Sequence, residues 1–233
     1  MPLSYKAKIC GNTNLADARL AADAGADFFG VVVEVDFSPR ALRMEAAVDL
    51  FSRPPLPGVA LVYQMPESRI HHLIQTLNPF AVQFLGDPDP ERLRRLVTAF
   101  PQTQVWQSLH LPPAGHAVTV DALMAQMDDC LEAGVSALLL DTAATGGGKT
   151  KFGGTGITFD WDIAGTFMGR MPPGFPVWLA GGINPDNVRD ALSAVDPYGI
   201  DLCSGVEAFT GKKDPDKVNR LMDAIRAASA ARR

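Results

Sequence analysis

Residues 138–161, LLLDTAATGGGKTKFGGTGITFDW, join an apolar run that ends in a carboxylate to a glycine-rich stretch and the start of an amphipathic segment. The apolar run, residues 137–140, does not alternate with polar residues, which is typical of a parallel strand covered on both faces. In such sheets the ligand site lies at the carboxyl ends of the strands. Asp141 is therefore the first catalytic candidate, and the alternative is an aspartate that only caps the following turn.

The glycines that follow, Gly153, Gly154 and Gly156, allow a backbone to approach a ligand closely or to take a positive φ. A helix is predicted to begin near Thr158, and a helix N-terminus after such a turn favours a phosphate. A plain flexible loop is the alternative meaning of these glycines.

The rest of the chain alternates between short apolar runs and helical stripes. Strands are predicted over residues 5–10, 28–33, 58–63, 81–84, 104–109, 137–140, 176–180 and 199–203. Helices are predicted over residues 15–25, 44–51, 67–77, 90–100, 120–133, 159–168, 184–194 and 214–230. Eight alternating pairs indicate an α/β fold, a single (β/α)8 TIM barrel over residues 1–233. An open doubly wound sheet is the alternative, but CGNTN after the first strand is not a GxGxxG turn.

Composition narrows the class of protein. Hydrophobic residues make up 47% of the 233-residue chain, which suffices for a large core, and the formal net charge is −5. Without a basic block before the C-terminal tail we expect no nucleic-acid partner, and without a long apolar run we expect no membrane span. The three cysteines suggest reduced thiols in a cytoplasmic protein. The four histidines show no metal-ligand spacing, so neither a metal site nor a cofactor is predicted.

If the barrel closes, the residues at the carboxyl ends of its strands share one site. Cys10 and Asp141 then face each other as a thiol and a carboxyl group, which suits the movement of a proton between two substrate atoms. Arg40 lies on the same face, where a guanidinium suits a substrate carboxylate through two parallel hydrogen bonds, and the alternative is a surface ion pair. For Cys130 and Cys203 we favour an inert, buried role.

Two glycine-rich strand ends are predicted to bind phosphate through backbone N–H groups. They are Gly181 and Gly182 after the seventh strand, and Ser204 and Gly205 after the eighth. The loops after strands seven and eight are the usual phosphate site of this fold.

Seven motifs in order carry a resemblance to a known family. They read KICG at 8–11, SPR at 38–40, VQFLG at 82–86, LLLDT at 138–142, GGTGITFDW at 153–161, LAGGINPDNV at 179–188 and DLCSGVE at 201–207, the last followed by GKKD. Together they resemble the phosphoribosylanthranilate isomerases. That family is a (β/α)8 barrel that catalyses an Amadori rearrangement in tryptophan biosynthesis without a metal or organic cofactor.

The resemblance implies roles for individual residues. Cys10 would be the general base and Asp141 the general acid. Arg40 would hold the anthranilate carboxylate. Other positions expected to touch the phosphorylated sugar substrate are Gln83 and Asp201, with Gly154, Gly181, Gly182, Ser204 and Gly205 around the phosphate. Oligomeric state is not predicted.

The sequence also departs from the family pattern at the mouth of the barrel. Leu85 stands where the fourth-strand motif usually has a histidine, and Gln107 and Ser108 stand where the fifth strand usually ends in a basic residue. Glu34 and Asp36 place two acids near a site for an anionic substrate. A divergent paralogue acting on another phosphosugar, or a catalytically silent phosphate-binding barrel, is therefore the alternative.

The longer segment after Asp141 yields one more expectation. Residues 142–156 contain six glycines and are predicted to form a mobile lid over the substrate. Closure of the lid would bring Lys149 or Lys151 toward the anionic substrate, where it would partly replace the basic residue missing at Gln107. The alternative for each is a solvated surface lysine.

Overall fold

The computed structural model describes residues 5–115, 120–146, 149–152 and 158–232, without the side chains of residues 144–146 and 149–152. Its first nine strands are β1 (Lys6–Ile9), β2 (Phe28–Val32), β3 (Gly58–Tyr63), β4 (Ala81–Leu85), β5 (Gln104–Leu111), β6 (Ala137–Gly146), β7 (Lys149–Phe152), β8 (Val177–Leu179) and β9 (Gly199–Leu202). All except β7 belong to the barrel. Gly154 lies outside the described residues.

The barrel strands are parallel and form a closed ring. Each of β1 to β5 pairs with the next, β5 pairs with β6, β6 with β8, β8 with β9, and β9 returns to β1. The pairing of β5 with β6 excludes the open sheet, which would leave two edges. The predicted (β/α)8 barrel is thus confirmed.

Helices cover the outside of the ring. They are α1 (Leu15–Asp23), α2 (Met44–Ser52), α3 (Glu67–Leu77), α4 (Pro90–Ala99), α5 (Val120–Ala133), α6 (Trp161–Met168), α7 (Val188–Val195) and α8 (Pro215–Ala231). A 3₁₀ turn, Ser204–Val206, and two short antiparallel strands, β10 (Glu207–Phe209) and β11 (Lys212–Lys213), lie between β9 and α8. No helix of this described set has the length and apolarity needed to span a membrane.

The two faces of each barrel strand have different neighbours. Ala7 and Ile9 of β1 join the large core between strands and helices, whereas Cys10 belongs to the cluster inside the barrel. At the amino end of the barrel this inner cluster is aromatic. Trp106 and Trp178 stack with ring centroids 5.4 Å apart, and Phe28 meets both edge-on. These rings fill the amino end of the barrel, so the open end is the one at which the strands terminate.

The largest difference from the predicted elements follows Asp141. Instead of a loop from Thr142, β6 continues to Gly146 and forms an antiparallel hairpin with β7, in which Ala143 pairs with Phe152 and Gly146 with Lys149. Backbone hydrogen bonding between strands stabilises this conformation, which the glycine content does not reveal. Residues 147–148 and 153–157 lie outside the described set, so the lid stays a prediction, as do the contacts of Lys149 and Lys151.

Two helices begin later than predicted. Helix α6 begins at Trp161 because the Asp160 side chain accepts the backbone N–H of Asp162 and so caps the helix there. Helix α7 begins at Val188, after a turn in which Asn184 and Asn187 bond each other's backbone amides, with Asn184 N to Asn187 Oδ1 at 2.8 Å. That turn uses the polar side chains that sequence periodicity assigns to the first helical turn.

Candidate active site

A cavity of about 680 Å³, including its open mouth, lies at the carboxyl ends of the barrel strands. Nine of the ten predicted site residues line it: Cys10, Arg40, Gln83, Asp141, Gly181, Gly182, Asp201, Ser204 and Gly205. The tenth, Gly154, is the one outside the described residues. The structure therefore brings together side chains that are up to 195 residues apart in the chain, from Cys10 to Gly205.

Asp141 is held on β6 with only 8% of its surface exposed. Its Oδ1 accepts a hydrogen bond from the Thr142 backbone amide at 2.7 Å. Burial raises the pKa of Asp141 to about 7, with a further upward contribution from Asp201, while the Thr142 amide and Lys8 act in the opposite direction. This carboxyl group is therefore partly protonated near neutral pH, which suits it to donate a proton.

Cys10 directly follows β1 and is 5% exposed. Its backbone amide donates to the Leu202 carbonyl at 2.7 Å, and the side chain of Asn12 donates to the Ile9 carbonyl at 2.7 Å, so the strand end is anchored on both sides. Burial raises the pKa of the Cys10 thiol to about 12, although the neighbouring Lys8 lowers it. The neutral thiol is therefore the predominant form of Cys10 near neutral pH.

A buried ion pair lies beside Cys10. Lys8 and Asp201 are Cα partners on the adjacent strands β1 and β9, and Lys8 Nζ is 2.8 Å from Asp201 Oδ2. Lys8 has no exposed surface, and Asp201 Oδ1 has no hydrogen-bond partner among the described residues although it is buried. That oxygen belongs to a side chain that lines the cavity, so it can accept a hydrogen bond from a bound ligand.

A second buried group of charges holds Arg40. Its Nε and Nη2 bond the two carboxylate oxygens of Glu207 at 2.8 and 2.6 Å. Lys213 Nζ lies 3.2 Å from the same carboxylate, and the Gly211 amide donates to it. Burial raises the pKa of Glu207, but Arg40 and Lys213 outweigh it, so the net shift is downward and the group stays ionised. Glu207 thus occupies the edge of Arg40 formed by Nε and Nη2, and the predicted contact of Arg40 with a substrate carboxylate stays a prediction.

The two glycine-rich strand ends pack directly against each other. A Cβ on Gly205 would lie 2.0 Å from the Ile183 carbonyl oxygen, and a Cβ on Gly181 would lie 2.3 Å from Thr142 Oγ1. Gly181 and Gly182 both have positive φ, 81° and 64°. Side chains at Gly181 or Gly205 would push the loops apart, so glycine is required for this close approach.

The remaining wall of the cavity is apolar. Phe37 and Leu85 line it together with Val32 and Leu61, and the ring of Phe37 packs edge-on against Tyr63 at 5.1 Å. This wall lies at the ends of β2, β3 and β4. It provides the type of surface against which a planar aromatic ring packs.

Two of the departures noted at the mouth, Glu34 and Gln107, have partners within the structure. Glu34 is ion-paired with Arg69 at 2.6 Å and is absent from the residues that line the cavity. Gln107 is buried and donates to the Gly86 carbonyl at 2.9 Å. Strand β5 extends to Leu111, so a basic residue, His110, does lie near its end. Burial lowers the pKa of His110 to about 4, and its Nε2 accepts a hydrogen bond from the Gly86 amide. His110 is therefore neutral at pH 7.

Three polar residues of the site were not predicted. Lys8 and Glu207 lie within the motifs KICG and SGVE, and Lys213 within GKKD. A lysine on a strand is normally expected at the surface, and only its position two residues before Cys10, on the same face of β1, could have indicated otherwise. Cys203 also differs from expectation, since it is half-buried and lines the cavity, whereas Cys130 lies in the core as predicted.

Barrel and cavity together define a (β/α)8-barrel enzyme whose site lies at the carboxyl ends of the strands. Comparison with known proteins narrows this class. The family model described as N-(5'-phosphoribosyl)anthranilate (PRA) isomerase matches residues 7–224. The N-(5'-phosphoribosyl)anthranilate isomerase of Methanocella arvoryzae is 34% identical over 95% of this chain and 98% of its own, and that of Geobacter metallireducens is 35% identical over 95% and 99%.

Solved structures agree. The phosphoribosyl anthranilate isomerase of Thermotoga maritima superimposes with a TM-score of 0.76 at 28% identity, covering 96% of this chain and 99% of that one. A phosphoribosyl anthranilate isomerase in complex with reduced 1-(o-carboxyphenylamino)-1-deoxyribulose 5-phosphate superimposes with a TM-score of 0.74 at 27% identity and the same coverage. The chain belongs to the phosphoribosylanthranilate isomerase family, whose members are aldose–ketose isomerases of tryptophan biosynthesis.

Proposed function

We propose that this chain converts N-(5'-phosphoribosyl)anthranilate into 1-(2-carboxyphenylamino)-1-deoxyribulose 5-phosphate, with Asp141 as general acid and Cys10 as general base. One observation carries the proposal: in a chain of this family, a carboxyl group and a thiol line the same cavity as two glycine-rich loops and an apolar wall. These features match an acid, a base, a phosphate and an aromatic ring.

The chemistry follows from the two proton carriers. Asp141 donates its proton to the ring oxygen of the ribofuranose, which breaks the bond between that oxygen and C1′ and leaves a Schiff base between C1′ and the amine. Cys10, as thiolate, removes the proton from C2′, and the resulting enol tautomerises to the ketone. A carboxyl group with a pKa of about 7 holds a proton at neutral pH often enough to serve as this acid.

The two groups must be in complementary states for this reaction. The active form has the proton on Asp141 and none on Cys10. Burial of the thiol instead favours a proton on Cys10, and Asp141 loses its proton more readily than Cys10 does. The active form is thus the less populated one, and any group that stabilises the thiolate increases the rate.

The rest of the cavity supports binding of the substrate's other parts. Backbone N–H groups of the turns at Gly182 and Ser204–Val206 are available for the phosphate, since helix N-termini and tight turns present such groups to anions. Phe37 and Leu85 supply an apolar wall for the aromatic ring. Arg40 would meet the anthranilate carboxylate through Nη1 and the second N–H of Nη2, because Glu207 occupies the other edge. Gln83 and Asp201 are left to bond the sugar hydroxyl groups.

The test is complementation of a tryptophan auxotroph that lacks this isomerase. Wild-type protein, Cys10→Ala and Asp141→Asn are compared, with Cys130→Ala as the matched cysteine control because Cys130 is buried in the core away from the cavity. Growth with the wild type and the Cys130 variant alone supports the proposal. Growth with all four proteins contradicts the assigned roles, and growth with none favours a paralogue that acts on another phosphosugar.

A further inference from the structure

The inward face of β1 carries a regular series of polar residues. Lys6, Lys8 and Cys10 alternate with Ala7 and Ile9, which face the helices. Lys6 lies at the amino end of the barrel, half-exposed, and pairs with Asp27 at 2.7 Å. Lys8 lies in the middle, fully buried, and Cys10 at the cavity. A charged lysine with no access to water is costly unless it has partners, so its partners indicate what it does.

Lys8 has one carboxylate partner and one sulfur neighbour. Its ammonium group lies 2.8 Å from Asp201 Oδ2. The position of Gly30 reveals the second neighbour, because a Cβ built there would lie 2.8 Å from Cys10 Sγ and 3.1 Å from Lys8 Nζ. The absent side chain of Gly30 therefore leaves the space in which the thiol and the ammonium group approach each other.

The other charged groups near Cys10 do not substitute for Lys8. Arg40 and Lys213 both lie near the thiol, but they share the carboxylate of Glu207. Asp201 is an anion, as Asp141 is when ionised, and Cys203 is a second thiol. Burial lowers the pKa of Lys8, but Asp201 and Cys10 outweigh it and the net shift is upward, so the lysine stays charged.

We propose that Lys8 is a positioning residue for the isomerisation: its ammonium group, anchored by Asp201, stabilises the thiolate of Cys10 and so increases the share of the form that can accept the C2′ proton. The inference rests on the proposed function, because it takes Cys10 to be the base. It adds a residue that does not itself reach the substrate, since Lys8 is absent from the cavity lining.

The experiment measures the thiolate directly and does not depend on turnover. Purified empty enzyme is treated with iodoacetamide at pH 8.5, and the alkylation rate of Cys10 is followed by peptide mass spectrometry, which separates it from Cys130 and Cys203. Only the thiolate reacts, so the rate reports the thiolate fraction, and one pKa unit changes it about tenfold. The proteins compared are wild type, Lys8→Met, Asp201→Asn, the double variant, and Lys6→Met as the control on the same face of β1.

The alkylation rate of Cys10 is expected to change in opposite directions in the Lys8 and Asp201 variants. Lys8→Met should react at least about tenfold more slowly than wild type, because the cation is lost. Asp201→Asn should react faster, because an anion that opposes the thiolate is lost, and Lys6→Met should react at the wild-type rate. A purely structural role of Lys8 predicts looser packing and faster alkylation in both the Lys8 and the Asp201 variants.

Folding of each variant is checked by thermal unfolding, because Lys8→Met leaves Asp201 buried and unpaired. If that variant does not fold, the double variant is compared with Asp201→Asn, and the same tenfold decrease is expected there. A Lys8→Met rate equal to or above that of wild type, or a double variant as fast as Asp201→Asn, would overturn the role of Lys8. Full isomerase activity of Cys10→Ala would instead overturn the proposed function, whatever the alkylation rates.

Discussion

At the scale of single residues, burial gives Asp141 its chemical character. In water an aspartate is ionised at neutral pH, but here desolvation raises its pKa from 3.8 to about 7. The raised pKa suits Asp141 to its proposed role as proton donor. It also gives the residue a cost to folding, because the charged form is less stable in the folded than in the unfolded chain.

Replacing Asp141 with asparagine should therefore stabilise the fold at alkaline pH while removing the acid. A raised carboxyl pKa contributes stability below pH 3.8, and the contribution is lost as the pH rises through 7. The gain of Asp141→Asn should grow between pH 4 and 7 and level off above, reaching at most about 4 kcal/mol. Urea unfolding of both proteins at about pH 4.5, 6 and 8 measures this gain in unfolding free energy.

Asparagine keeps the acceptor for the Thr142 amide, so the comparison isolates the charge. A difference in unfolding free energy that is constant with pH would show that Asp141 is ionised normally in the folded protein. It would also remove the physical basis for its role as the acid.

Sequence reasoning succeeded at this scale where residue type and strand end coincide. Cys10 and Asp141 each stand at the carboxyl end of a predicted strand, so the fold places both at one mouth. Lys8 and Glu207 could not be predicted in the same way, because Lys8 pairs with Asp201 and Glu207 with Arg40, partners that are far away in the chain. Lys213 joins the second pair through Glu207. The bidentate pairing of Arg40, for example, joins residues 167 positions apart.

At the scale of elements, the loops after β8 and β9 are shaped by contact between them. Gly205→Ala would place a methyl group 2.0 Å from the Ile183 carbonyl. We expect a loss of about 1–3 kcal/mol of stability and a higher KM for the phosphorylated substrate, because the turn at Ser204–Val206 must move. Thermal unfolding and steady-state kinetics measure the two effects.

Gly169→Ala is the matched control, since Gly169 has a helical φ of −63° and a Cβ there would meet its nearest atom at an ordinary 3.5 Å. It should change neither stability nor KM appreciably. A Gly205→Ala protein with wild-type KM would show that this turn does not bind the phosphate.

The short strands β10 and β11 hold the carboxylate that organises Arg40. Glu207→Gln removes the negative charge shared by Arg40 and Lys213, and breaking a buried ion pair costs about 3–5 kcal/mol. The pKa of Glu207 is lowered in the fold. The extra stability of the wild type should therefore be lost as the pH falls below the pKa of a free glutamate. Urea unfolding at two pH values tests both statements.

Glu67→Gln, which removes the partner of Arg95 in an exposed pair, serves as the control and should have little effect. Equal losses in the two variants would mean that Glu207 is no more important than a surface carboxylate. The position of Arg40 would then need another explanation.

The same scale shows where element prediction ends. Helix caps such as Asn14 and the prolines Pro90 and Pro215 at first helical turns are local signals, and the helices they begin were predicted closely. The β6–β7 hairpin was missed because strand pairing depends on neighbours, and a glycine-rich sequence normally indicates a loop.

At the scale of the whole molecule, the barrel separates stability from chemistry. Stacked aromatic rings fill its amino end, and the carboxyl end holds the cavity with its titratable groups. The closed ring was predictable because eight strand–helix pairs are the number that closes a barrel. An open sheet would have two edge strands, and the pairing of β5 with β6 removes them. The network of buried charges could not be predicted from the sequence, because it depends on packing across the barrel.

The most direct test of the central claim is the steady-state consumption of N-(5'-phosphoribosyl)anthranilate by the purified protein. We predict a kcat/KM within the usual enzymatic range, about 10⁴–10⁸ M⁻¹s⁻¹. Cys10→Ala and Asp141→Asn should each lower kcat by about 10²–10⁴-fold with little change in KM, because each removes a proton transfer and leaves the binding walls intact. A wild-type protein that does not accelerate the reaction, or variants with wild-type kcat, would contradict the account.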